Sequence, residues 1–240
     1  MDDQIFATYS DRQPGWPLAF SADGSVVAHR LWQVKGKRCR VVVNGREGPE
    51  FDGVGQPFLS ADGAVVAYRA ERNDEYFIRV GDRDGPAFEF VTDPAVSADG
   101  STVAYAASQG GRWFLVAGAR KIPLAGHPDM VFVSPDGRQV GWVDRESLPE
   151  GGYKMRVAVP GRVGETFSIV GRPAFSPSGA TFAYAADEGA RRFVVIGPRK
   201  VETPHRVSDP VFSPDGRHVG YGARIGREIW WRVVETDSNH

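Results

Sequence analysis

Five histidines and one cysteine are the side chains of this sequence best suited to bind a metal or move a proton near neutral pH. The histidines are His29, His127, His205, His218 and His240. None stands in H-E-x-x-H or another close ligand pair, so their spacing points to no metal centre. Cys39 lies between Arg38 and Arg40, whose charges would favour a thiolate; the competing reading is an ordinary strand cysteine. The G-x-S-x-G string of a serine-hydrolase elbow is absent. The stretch DRDG, Asp82–Gly85, is similar to the start of a calcium loop but lacks the later glutamate, and reads as a turn between strands. Carboxylates do recur, at Asp23, Asp62, Asp99, Asp136 and Asp215, but always at the same place in a repeated phrase, and Ser178 takes that place once. A group that recurs this way belongs to a turn. No catalytic residue, metal or cofactor is expected.

The phrase itself sets the architecture. "PAVSADGSTVAYAA" from Pro94 has five relatives, such as "PFLSADGAVVAYRA" from Pro57 and "PVFSPDGRHVGYGA" from Pro210. Their serines, Ser21, Ser60, Ser97, Ser134, Ser176 and Ser213, stand 39, 37, 37, 42 and 37 residues apart. A period near 40 fits either a propeller blade or a helical repeat. Glycine (29) and proline (17) punctuate runs such as "RWFLVAG" and "RRFVVIG", rich in β-branched and aromatic residues, with no long helical stripe. The expectation is all-β, each unit giving four short strands. The first ends at the serine, and Asp-Gly forms a hairpin because both residues tolerate positive φ. The second carries "VAY", whose small middle residue (Ala28, Ala67, Ala104, Gly141, Ala183, Gly220) suits a crowded interface between sheets. His29 replaces the aromatic of that triplet and reads as a packed residue, while His127 and His205 fall on outer or connecting segments.

The 240 residues thus predict one domain, 1–240, a six-bladed β-propeller of four-stranded antiparallel blades. The sixth unit runs out of chain after its third strand. The spare N-terminal stretch "QIFATYS", Gln4–Ser10, is expected to supply the missing strand and cover the open edge.

"PxFSPDGxxVAY" resembles the WD40-like repeat family found in the C-terminal propeller of the bacterial translocation protein TolB, and is similar to the propellers of prolyl oligopeptidase-type peptidases. The resemblance spans essentially the whole chain. It implies a propeller that binds proteins or gates a neighbouring active site. Trp-Asp pairs are missing, and Gly126-His127 is a single Gly-His. Six-bladed lactonase-type propellers hold a metal with carboxylates and an asparagine; here the asparagines are Asn44, Asn73 and Asn239, none on an inner strand.

Function on a repeat scaffold tends to lie where the repeat is broken. Units one and four are longer between strands two and three, so both insertions fall on one face. The first, "RLWQVKGKRC", holds Trp32, Lys35, Lys37 and Arg38 with no acid; the second holds Arg145; unit six adds Arg227. These six residues are the candidate partner-binding set. The six connecting loops together carry only +4 and the whole chain -1, which disfavours nucleic acid. No apolar run approaches a membrane span, and no leader pattern opens the chain. The expected role is a non-catalytic scaffold for a protein partner, in the cytosol, or in the periplasm if a leader has been removed. The alternative is binding or hydrolysis of a sugar or lactone at the axial channel.

Overall fold

The computed structural model describes residues 12–14, 18–33 and 38–236. The chain divides into two compact units, Met1–Leu124 and Ala125–His240. Among the described residues there is no helix, and each unit holds three antiparallel sheets. Sheets one to three contain the second strands Val27–Gln33, Val66–Arg72 and Val103–Gln109. Sheets four to six contain Val140–Ser147, Phe182–Glu188 and His218–Ile225.

In each sheet the chain passes from the first strand to the second through a turn around the repeat serine. In sheet three the Ser97 hydroxyl donates to Asp99 Oδ1 at 2.6 Å and accepts from the Thr102 amide at 2.9 Å. Asp99 Oδ1 also accepts from the Ser101 amide, and the Gly100 amide bonds back to the Ser97 carbonyl. The same pattern stands at Ser21, Ser60, Ser134 and Ser213. In sheet five, Ser178 replaces the aspartate and the contacts lengthen to 3.2–3.4 Å. The expected sharing of positive φ between Asp and Gly is corrected here. Only the glycines adopt it, Gly100 at +71° for example. Aspartate is chosen as an acceptor for the serine hydroxyl, not for its φ.

The innermost strand is in two pieces rather than one in five of the sheets. In sheet two, Gly53–Val54 and Phe58–Leu59 both pair with Val66–Arg72, on either side of Pro57. Pro94, Pro173 and Pro210 break sheets three, five and six in the same way. Proline has no N–H for the ladder, so the strand parts there. Sheet four keeps one strand, His127–Val133, with an irregularity between Pro128 and Met130.

Neighbouring sheets within a unit pack face to face. Sheets one and two share Val41, Phe51, Tyr68, Ala70 and Phe77; sheets four and five share Val143, Val157, Phe167, Tyr184 and Val195. The small second-strand residues are buried as expected: Ala28, Ala67, Ala104 and Ala183 are inaccessible. The two glycines of the series have a closer cause. A Cβ at Gly141 would collide with the Phe132 ring, and one at Gly220 with Trp231, both rings of the same sheet. In the first unit the turns are also tied together: the Ala22 amide bonds the Ala61 carbonyl at 2.7 Å, and the Ala61 amide bonds Ala98 at 2.8 Å. The second unit has Pro135, Pro177 and Pro214 at that position, which have no amide hydrogen to give.

Candidate binding surfaces

The unit-four insertion is mostly ladder rather than loop. Val140–Ser147 pairs with Tyr153–Val159 from Trp142 opposite Ala158 out to Ser147 opposite Tyr153, leaving 148–152 as the connection. The extra residues therefore lengthen a stiff hairpin. Arg145 lies within its strand, opposite Met155. Its guanidinium bonds Asp129 at 2.7 and 3.1 Å and sits 4.1 Å from the centre of the Tyr153 ring. Beside it, Arg156 holds the buried Asp144 at 3.0 Å and Glu146 at 3.2 Å, and Lys154 reaches Glu188 of sheet five at 2.8 Å. That ammonium holds the Glu188 carboxyl below its usual range.

In unit one, Trp32 sits opposite Cys39 and is 45% exposed. Arg38 pairs with Asp52 at 2.6 Å, and the other oxygen of Asp52 accepts from the Asn73 amide at 2.9 Å. That carboxylate thus ties the hairpin of sheet one to that of sheet two. Lys35 and Lys37 lie outside the described residues. Arg227 is exposed in the tight Gly226–Arg227 turn of sheet six. Of the six candidates, then, Trp32 and Arg38 share one hairpin, Arg145 and Arg227 stand on two others, and two arginines are already held by carboxylates.

The third strand expected in sheet six is Glu228–Glu235; what sequence reasoning missed is how much apolar surface that strand leaves in solvent. Ile229 (84% exposed), Trp230, Trp231 (63%) and Val233 all face solvent, with Trp230 Nε1 bonding Glu228 at 3.0 Å. Among the described residues this strand pairs only with His218–Ile225. In other sheets the equivalent strand has an outer neighbour, as Arg191–Ile196 has Arg199–Thr203. The visible signal was the apolar run "IWW" in a unit already short of one strand.

Two of the groups suited to chemistry, Cys39 and His29, are placed as packing. Cys39 is buried, and burial pushes its thiol pKa up, with the Arg30 charge opposing only in part. His29 is buried and its pKa falls for the same reason. Asp84 belongs to the short outer strand Arg83–Asp84 and pairs with Arg79 and Arg72, so DRDG is turn and strand. Among the described residues no three His, Cys, Asp or Glu side chains gather as a metal ion requires, and no helix is long and apolar enough to cross a membrane.

No protein-family model and no curated protein matches the chain. Solved structures do. TolB from Acinetobacter baumannii is 18% identical over 92% of this chain, TM-score 0.48, and the chain spans 60% of that protein's length. The β-propeller domain of the Trilobed protease from Pyrococcus furiosus, described as having an open velcro topology, is 11% identical over 95% of this chain and 84% of its own, TM-score 0.58. An oligogalacturonate lyase in complex with manganese is 12% identical over 84% of this chain and 69% of its own, TM-score 0.57. At such identities the likeness concerns the fold alone, and that fold is β-propeller-like.

Proposed function

We propose that the six sheets are the blades of one propeller domain spanning residues 1–240, closed by Gln4–Ser10 pairing with the free edge of Glu228–Glu235. It acts as a non-catalytic scaffold holding a protein partner on the hairpins between second and third strands. The observation that carries the partner reading is the exposed Ile229, Trp230 and Trp231 next to the Arg227 turn. Large apolar side chains clustered in solvent mark interaction sites, and tryptophan and arginine are favoured as anchors. Trp32 and Tyr153, each roughly half exposed on its own hairpin, extend the reading to blades one and four. Balanced overall charge supports a protein partner over nucleic acid.

The test is affinity capture with the full chain from its native source, followed by kinetics with the purified partner. Trp230→Ala and Trp32→Ala should each weaken binding by about 2 kcal/mol, chiefly through faster dissociation. Charge reversal at Lys35, Lys37 and Arg38 should slow association and reduce its salt dependence. Unchanged kinetics in all three variants would remove the hairpin face as the site.

A further inference from the structure

Phe51 to Val116 aligns without a gap on Phe167 to Arg232, each residue matched to one 116 positions later. The two units can therefore be compared place by place, and they differ at one cleft between neighbouring blades. In blade two, Tyr68, Arg79 and Asp84 stand in register across three strands. The Arg79 guanidinium pairs with Asp84 and lies 6.0 Å from the centre of the Phe51 ring of the preceding segment. In blade five the same three places hold Tyr184, Val195 and Lys200. Valine stops short of where the guanidinium would reach. A cavity of about 230 Å³ opens there, lined by Val157, Phe167, Phe182, Tyr184 and Val195, with Arg162, Glu165 and Lys200 also on its wall.

We propose that this cavity binds a small carboxylate with a compact apolar body. The four apolar walls fit the body. Tyr184, only 3% exposed, lines the cleft beside Gly164, where a Cβ would meet its hydroxyl at ordinary contact distance, 3.7 Å, but would press on the Val157 carbonyl at 2.9 Å. Arg162 and Lys200 outnumber Glu165 among the charged lining groups. Glu165 is well exposed and pairs with Lys200 at 2.5 Å, so an incoming carboxylate can take over the ammonium as Glu165 swings into water. A cationic ligand is disfavoured because Lys200 already occupies the aromatic faces, 5.1 Å from Phe193 and 5.7 Å from Phe167. The volume lies below the ~300 Å³ at which drug-sized sites begin, which limits the ligand to a fragment-sized molecule. Blade three repeats the triplet as Tyr105, Val116 and Lys121, but Asp84 and Pro86 stand on the wall before it where Val163 and Glu165 stand here.

The cleft opens beside the turns Pro160–Gly161 and Gly197–Pro198, at the strand ends opposite the partner hairpins, so this inference stands independently of the partner reading. The probe is 3-phenylpropanoate, titrated into the isotope-labelled full chain and followed by amide NMR, with 3-phenylpropan-1-amine as the cationic counterpart. Saturable shifts at Gly164, Gly197 and Lys200 are expected with the carboxylate, and binding of the amine at least about tenfold weaker. Val195→Arg, which installs the blade-two residue, should abolish the shifts, and Lys200→Gln should weaken binding about tenfold. Should Val195→Arg fail to fold, the exposed-site variant Lys200→Gln decides. No saturable shift, equal binding of acid and amine, or unaltered binding in Lys200→Gln would overturn the proposal.

Discussion

At Ser97 a single buried hydroxyl holds both ends of its turn, one bond to Asp99 and one from Thr102. Ser97→Ala leaves the part-buried Thr102 amide without this partner and should lower stability by about 1 kcal/mol, read as the urea midpoint. The glycines supply a sharper comparison. Gly24 and Gly100 share φ +71°, but a Cβ at Gly24 meets open space, whereas one at Gly100 comes within 2.9 Å of Val65 Cγ2 on the neighbouring turn. Gly24→Ala should cost about 1–2 kcal/mol of backbone strain alone, and Gly100→Ala measurably more. Equal midpoints would show that the turns do not touch as described. The turn aspartates also set an acid limit. Serine hydroxyls and then backbone amides hold Asp62, Asp99, Asp136 and Asp215 below the usual carboxylate range, and Asp23 at about 2. A carboxyl whose pKa is depressed on folding contributes above its unfolded pKa, ~3.9, and loses that contribution as pH falls through its folded value. Urea midpoints should hold from neutrality to about pH 5 and then fall toward pH 2. The decline should be shallower in Asp99→Asn. The serine period and its glycine were legible because the turn is built from six consecutive residues. The serine's burial was not, since it depends on the next sheet.

The hairpin of sheet four shows what an element adds. Read along the chain, "VDRESLPEGGYK" is a charged insertion; folded, Glu146 stands across the ladder from Lys154, and Asp144 from Arg156 just beyond the insertion. Asp144 is buried, with one oxygen on Arg156 and the other without a partner. Arg156→Met leaves that carboxylate uncompensated and should cost about 2–3 kcal/mol, below the 3–5 of fully buried pairs because Arg156 is partly exposed. Asp144→Asn in the same background should recover much of the loss; additive effects in the double-mutant cycle would sink the pairing as the cause. Strand pairing of this kind was only half legible. The sequence marked where the repeat lengthens, but register decides whether added residues become loop or ladder. The same holds for Trp230 and Trp231, neighbours in the apolar run "IWW", whose side chains fall on opposite faces of their strand. Whether an outer strand covers them depends on distant chain, and so does the Val195 cavity, whose meaning comes from Arg79 at the matching place of the other unit.

At the scale of the molecule, repeat and fold neighbours support a propeller, and the proposed scaffold needs that propeller closed. Closure makes a specific demand on Glu228–Glu235. The Thr236 amide bonds the Arg217 carbonyl at 2.9 Å, and antiparallel ladders alternate, so the amides of Ile229, Trp231, Val233 and Glu235 point away from His218–Ile225. Amide hydrogen exchange at these four positions, in the full chain and in a variant lacking residues 1–12, tests closure directly. The account predicts protection in the full chain, lost at all four on deletion, with the alternate amides of Trp230, Arg232 and Val234 less affected. Free exchange in the full chain, or protection that survives the deletion, would contradict it.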